Sequence, residues 1–200
     1  MYKLYDFALS GNCYKVRLLL AQLGISFERI PINILGQESH LPDFLQKNPN
    51  GKVPVLEIEP EVFLTESNAI LTYLADGTPF FSDDRRERTE ILKWLFFEQY
   101  SLGANLSRPR FWITVAQQAD QFAPMIAYHQ RLGKAALDVM EQHLTQHSFF
   151  VNDRYTIADL ALYAYTHLAD QGGYAMNQYP AILKWCDRVA SQPNYIAITQ

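Results

Sequence analysis

The stretch Asn50-Gly51-Lys52-Val53-Pro54-Val55-Leu56, followed nine residues on by Thr65-Glu66-Ser67-Asn68-Ala69-Ile70, decides how this chain is read. Val53-Pro54 stands where a turn delivers the chain into a short apolar strand, and a proline there cannot donate a ladder hydrogen bond. That favours a strand edge and raises the odds of a cis bond, which would leave the Val53 backbone N–H and C=O free to pair with an extended peptide. Thr65-Glu66-Ser67 then opens a helix, with Thr65 as cap and a carboxylate in the first turn. A helix start with free N–H groups, a hydroxyl and a carboxylate can hold both charges of an amino-acid head group. A peptide ending in a free α-amino acid would fit both elements at once.

Glutathione is such a peptide. Asn48-Pro49-Asn50-Gly51-Lys52-Val53-Pro54-Val55-Leu56 and Thr65 to Leu74 resemble the glutathione site of the cytosolic glutathione transferase family, and Thr156-Ile157-Ala158-Asp159 continues the likeness far downstream. The resemblance covers essentially the whole chain. It implies an α/β thioredoxin-like N-terminal domain plus an all-α C-terminal domain, with glutathione as co-substrate.

Outward from that stretch, the residues give the same architecture. Met1 to Phe7 reads as a strand, Ala8 to Asn12 as a turn, and Val16, Leu19, Leu20 and Leu23 follow helical spacing up to Gly24. Phe27 to Ile34 is a second strand with Pro31 marking an edge, and a short helix lies around Pro42 to Leu45. Val55 to Ile58 and Val62 to Leu64 form a hairpin, and Ser67 to Ala75 closes the domain as a helix. Strand-helix-strand followed by hairpin-helix is a thioredoxin-like order. The expected domains are 1–76, a linker 77–86, and an all-helical 87–200.

In the second part, Ser82, Asp83 or Asp84 caps a helix running past Trp94-Leu95-Phe96-Phe97 to Leu106, ended or kinked at Pro109. Apolar residues all round that run imply burial on every side or a partner. Helical spacing resumes from Met125 to Leu144; Thr156 caps another helix, which Gly172-Gly173 ends; Pro180 to Ala190 makes the last, before a tail from Pro193 to Gln200.

Ser10-Gly11-Asn12-Cys13 lies between the first strand and first helix, where open α/β sheets place ligands. A helix N-terminus and a hydroxyl donor there would favour a thiolate. In serine-type members of the family, of theta or zeta kind, a serine in this turn activates the thiol, and alignment on Val16-Arg17 puts Ser10 at that place. An ordinary capping serine is the plain alternative. Asn12 could donate instead, and it stands where beta-like members carry a cysteine; Cys13 reads as a buried helix residue and Tyr5 as packing.

The resemblance further assigns Glu66 and Ser67 to the γ-glutamyl amine and carboxylate, Val53 with Pro54 to the cysteinyl backbone, and Lys52 and His40 to the glycine carboxylate. Simple first-turn capping by Glu66-Ser67 is the competing reading. The second substrate, a small hydrophobic electrophile, would meet Phe7, Leu9, Arg108, Phe111, Trp112, Tyr163 and His167 between the domains, although aromatics at helical spacing also build cores. Thr156 to Asp159 reads as a structural box, not a catalytic acid.

Composition narrows the rest. With 48% hydrophobic and 14% aromatic residues the chain is a folded globular protein. A net charge of −4 gives no general basic surface, so neither nucleic acid nor an anionic membrane is an expected partner. The start shows no signal-peptide core, no run is long enough to span a bilayer, and two cysteines make no disulfide framework, which together point to the cytoplasm. The five histidines show no ligand spacing with cysteines or acids, so no metal is expected, and no Gly-rich phosphate loop is visible. The family likeness and the Trp94 to Phe97 run imply a homodimer. A glutathione-dependent isomerase, dehalogenase or thiol-transfer enzyme would share all of these features, and a non-catalytic binding module is the competitor from another class.

Overall fold

The alternation after Met1 and the apolar spacing after Cys13 yield a strand, a helix and a second strand. The computed structural model describes all 200 residues, Met1–Gln200, with β1 at Tyr2–Asp6, α1 at Gly11–Gln22 and β2 at Phe27–Pro31. β1 and β2 are parallel, Tyr2 lying against Phe27 and Asp6 against Pro31, as a helical crossover requires. α2 (Pro42–Leu45) precedes the antiparallel hairpin of β3 (Val55–Glu59) and β4 (Val62–Thr65), and α3 (Ser67–Ala75) follows it. The sheet order is β2-β1-β3-β4, a mixed four-stranded sheet. Pro31 therefore sits on an edge strand, where its missing N–H costs no ladder bond. Leu4, Leu56, Val16, Leu19, Leu20, Ile70 and Leu71 are fully buried, the core where α1 and α3 pack on the sheet.

Two local expectations are corrected here. The second strand stops at Pro31, short of Ile34. Thr65 does not cap α3: it is the last residue of β4, paired with Val55, and Glu66 takes the cap position at φ 64, ψ 110 with no side-chain cap bond.

The chain divides into two compact units, Met1–Asp76 with Pro193–Gln200, and Gly77–Gln192. The tail, expected with the helices, is thus part of the first unit. It is held there by polar side chains of α1: Tyr14 donates to the Ile196 carbonyl at 2.7 Å and Arg17 to the Ile198 carbonyl at 2.7 Å. Arg17 also bonds Asp6 at 2.6 Å and the Ala8 carbonyl at 3.0 Å, while Arg29 reaches Asp6 and the Gln200 carbonyl. Arg17 and Asp6 are both buried. One guanidinium so ties strand, loop and tail together, its planar fork matching acceptors in three directions.

The second unit is helical. Asp84 caps α4 (Arg85–Phe97), accepting the Glu87 N–H at 2.9 Å. The helix does not end at Pro109. It continues through a π-helical stretch at Glu98–Gly103, α5 (Ala104–Arg110) and a second π-helical stretch at Phe111–Val115. Widened turns shift the hydrogen-bond register, so the bond Pro109 cannot make is accommodated without a break. Gly103 leaves room for the side chain of buried Glu98, which a Cβ there would strike.

α6 (Ala123–Leu144) carries Pro124 in its first turn, where no intrahelical N–H is needed. α7 (Ile157–Thr166) stops short of Gly172-Gly173, a separate 3-10 turn follows at Ala169–Gly172 with Gly173 as its left-handed cap, and α8 is Pro180–Ala190. α7 opens on a capping box: Thr156 accepts the Ala158 N–H at 3.2 Å and Asp159 accepts the Thr156 N–H at 3.0 Å. The other Asp159 oxygen takes the Phe150 N–H at 3.1 Å and the Trp185 Nε1–H at 3.0 Å. Burial pushes the Asp159 carboxyl up to about 6, against the pull of the Trp185, Thr156 and Phe150 donors. Every acceptor position faces a structural donor, which gives this acid a building role. No helix is long and apolar enough to cross a membrane.

Candidate functional site

Within the first unit, the strand register brings three segments to one end of the sheet. Tyr5 pairs with Val55 and Val55 with Thr65, so the loop after β1, the Val53-Pro54 approach to β3 and the Glu66-Ser67 exit from β4 are neighbours. The Val53-Pro54 peptide bond is cis. Buried Asn48 braces that approach, donating to the Lys52 carbonyl at 2.7 Å and accepting the Asn50 N–H at 3.0 Å. Gly51 is at φ +63, and a Cβ there would meet His40 Nε2 at 3.2 Å, so His40 lies over the turn that presents Lys52. Lys52 and His40 are both exposed. Val53 is half-buried and Pro54 buried.

Glu66 is exposed with a left-handed φ of 64, a conformation that side-chain-bearing residues rarely adopt and that recurs at ligand sites. Ser67, buried behind it, donates to Asn12 Oδ1 at 3.3 Å. That bond joins the start of α3 to the start of α1. Asn12, expected in a turn, occupies the first turn of α1; its carbonyl end is engaged by Ser67 while its Nδ2 makes no bond within the protein.

Ser10 is the N-cap of α1, accepting the Cys13 N–H at 3.3 Å. The plain capping role is therefore real, and a capping oxygen used as acceptor still owns a hydroxyl proton to donate. Cys13 is fully buried with its sulfur 3.5 Å from the Phe7 nitrogen. Burial first, then Asp6, push its thiol up to about 12, against the Phe7 N–H and Ser10. A thiol so placed stays protonated and inert. Tyr5 donates to Glu57 at 2.8 Å, and burial with that bond raises its hydroxyl to about 12. Its ring packs edge-on to Phe44 and Phe63, the packing role expected of it. Phe7 is half-buried and Leu9 exposed, both in the loop ahead of Ser10.

Sequence reading missed Lys15, Arg17 and Asn48. Long basic side chains on an amphipathic helix read as solvated, yet Lys15 and Arg17 both face inward. The available signal was the crowding of Lys15, Val16 and Arg17 on a helix with no polar face to spare.

In the second unit, Arg108 is exposed on α5 with a guanidinium nitrogen 3.4 Å from His129 Nε2. His129 Nδ1 lies 2.8 Å from Asn105 Oδ1, and burial followed by the Arg108 charge lowers its pKa. These residues, with Tyr100, Tyr128 and Leu132, line a groove of about 730 Å³ between α5 and α6. Phe111 opens the second π-helical stretch and is half-buried; Trp112 stacks on Phe122 at 4.7 Å. Tyr163 is corrected from pocket wall to core. It is 3% exposed, stacked on His167 at 4.3 Å and edge-on to Trp185. His167 shares that interior: its Nδ1 bonds the Tyr163 carbonyl at 2.7 Å, and burial drops its pKa to about 4. No group of three or more His, Cys, Asp or Glu is arranged to hold a metal ion.

Residues 1–76 match the glutathione S-transferase N-terminal domain and residues 108–193 its C-terminal domain. A crystal structure of a glutathione S-transferase from Pseudomonas fluorescens Pf-5 superposes with TM-score 0.97 at 44% identity, covering 100% of this chain and 99% of that one. This chain belongs to the glutathione S-transferase family. The disulfide-bond oxidoreductase YfcG of Escherichia coli K12 is 30% identical over 94% of this chain and 89% of its own. Ure2p solved in complex with glutathione is 25% identical with TM-score 0.86, over 96% of this chain and 95% of that one. Family membership covers several reactions, since a glutathione site sets the thiol half of the chemistry and leaves the acceptor open.

Proposed function

We propose that this glutathione S-transferase family member binds glutathione along Val53-Pro54 and Glu66-Ser67 and adds its thiolate to a small hydrophobic electrophile. The observation that supports the reading is the Ser67 to Asn12 hydrogen bond of 3.3 Å, which joins the start of α3, read here as the amino-acid end, to the start of α1, read here as the thiol end. The γ-glutamyl amine meets Glu66, its carboxylate meets the N–H groups that open α3, and the cysteinyl backbone pairs with Val53. Lys52 and His40 offer positive charge or donors to the glycine carboxylate. At the head of α1 the thiol loses its proton to solvent, and the thiolate is held by the Ser10 hydroxyl, the Asn12 amide and the helix dipole. It then attacks the electrophilic carbon, forming the C–S bond while the leaving group departs with its electron pair. Phe7 and Leu9, in the loop ahead of Ser10, are the residues of the first unit offered to that second substrate.

Isothermal calorimetry with glutathione and a turnover assay with an aryl halide test this. Ser10→Ala should lower kcat at least tenfold, about what loss of one hydrogen bond to a charged group costs, with little change in glutathione KM. Equal turnover would move the donor role to Asn12. Glu66→Ala or Ser67→Ala should weaken glutathione binding, and unchanged affinity would remove them from the site. No heat of binding by the wild type would end the proposal.

A disulfide-directed reaction is the second reading, favoured by the likeness to the E. coli oxidoreductase. Cys13 is fully buried and burial pushes the Cys186 thiol up to about 12 as well, which favours glutathione itself as the carrier of the exchange. A mixed disulfide run beside the aryl halide separates the two.

We also assign the chain as a homodimer. The Trp94 to Phe97 run divides into buried Trp94 and Leu95 and a Phe96 that is 72% exposed, and Tyr100 beside it is 86% exposed. Large apolar residues gathered on one helical face support a partner of the same kind. Light scattering should give twice the 23.1 kDa chain mass, and Tyr100→Glu should shift it toward the monomer.

A further inference from the structure

Lys15 has no solvent exposure at all. It lies one turn along α1 from Asn12, on the same face, and its ammonium sits 3.3 Å from Ser67 Oγ and 3.2 Å from Asn68 Oδ1. Ser67 Oγ in turn donates to Asn12 Oδ1 at 3.3 Å. The order of donors is forced. An ammonium can only donate, so Ser67 accepts from Lys15 and spends its single proton on Asn12. A hydroxyl that accepts from a cation is also a stronger donor.

The asparagine amide has two orientations of similar shape and opposite chemistry. With its oxygen pinned by Ser67, Asn12 presents N–H to whatever lies beyond it; flipped, it would present a carbonyl oxygen, which repels an anion. Because the Ser67 proton is committed to Asn12, a carboxylate arriving at the start of α3 meets backbone N–H groups, with a buried positive charge behind them.

We infer that Lys15 is a positioning residue: it orients the Ser67 hydroxyl, through it fixes the Asn12 amide toward a bound thiolate, and sets a charge behind the carboxylate end of glutathione. This rests on the reading of the site as glutathione's. Glu66 and the buried Cys13 are the titratable sequence neighbours of Ser67 and Asn12.

The test is Lys15→Met in the full chain, neutral and close in length. Glutathione affinity is measured by calorimetry, the pKa of the bound thiol by its thiolate absorbance across pH, and folding by thermal denaturation. Affinity should fall about tenfold and the bound thiol pKa rise by about one unit, the size expected for a lost charge and a misdirected donor. Lys15→Arg, which keeps charge and donors, should restore part of the pKa shift. A purely structural lysine would lower the melting temperature and leave the thiol pKa of the surviving fold where it was; that result overturns the inference. If Lys15→Met does not fold, Asn68→Ala releases one of the two anchors of the ammonium and should move the thiol pKa in the same direction by less, and no movement is equally fatal. A wild type that binds no glutathione brings down the site reading, whereas a wild type that binds and a Lys15→Met with unaltered thiol pKa bring down this inference alone.

Discussion

Replacing Asp159 with alanine removes the acceptor of four hydrogen bonds at once, from the Thr156 N–H, the Thr156 hydroxyl, the Phe150 N–H and the Trp185 indole. Thr156 and Trp185 are fully buried and Phe150 nearly so, so water replaces none of these bonds freely. Each orphaned buried donor costs about 1–3 kcal/mol, and with some relaxation the three N–H groups together give a loss of about 3–5 kcal/mol. In a chain of this size 1 kcal/mol moves the midpoint by about 2–4 °C, so the melting temperature should drop by roughly 10 °C or more. Asp159→Asn keeps one oxygen but turns N–H toward the donors of Thr156, and should lose about half as much. The assay is urea denaturation at neutral pH, followed by circular dichroism and by tryptophan fluorescence, to which Trp185 contributes together with Trp94 and Trp112. A loss under about 1 kcal/mol for the alanine variant would mean that these donors find other partners, and would refute the reasoning.

Three further outcomes follow from the same structure. Arg17→Met leaves Asp6 and the Ala8 and Ile198 carbonyls without the shared guanidinium, and should cost about 3–5 kcal/mol, with hydrogen exchange accelerating in the tail and the loop before Ser10; unchanged exchange in both would show that they do not depend on it. His167 is held neutral with a pKa of about 4 against 6.5 for the free side chain. Its contribution is full above pH 6.5 and fades as pH falls through 4, up to about 3 kcal/mol, so stability measured at pH 7.5 and 4.5 should converge in His167→Gln. Wild-type and variant slopes that match would dismiss His167 as the titrating group. Asn48→Ala frees the Lys52 carbonyl and should raise glutathione KM by about tenfold with kcat nearly kept, since the Ser10 loop is untouched; an unaltered KM would separate Asn48 from the site.

The sequence signals that held were those set by the backbone. Pro54 demanded a strand boundary, the Thr156 to Asp159 spacing demanded a capping box, and the order of alternation and helical spacing in the first half left one sheet topology to choose. Signals that depend on what a side chain finds at its far end did not hold as well. Thr65 has the chemistry of a cap, but its pairing with Val55 won it for the strand. Pro109 has the chemistry of a helix end, but a π-helical turn absorbed it. Tyr163 and His167 carry the chemistry of a pocket and instead stack on each other inside the helical unit. Lys15 and Arg17 look like solvent-facing residues because the oxygens that draw them inward come from α3, β1 and the tail, segments far off in sequence.

The tail has a consequence for how the protein is made. Its residues leave the ribosome after every helix of the second unit, yet they complete the first unit through Tyr14 and Arg17. A nascent chain that has emerged only to Asp76 therefore lacks the tail carbonyls that Tyr14 and Arg17 bond, and the first unit is completed only once the tail has followed the helices out.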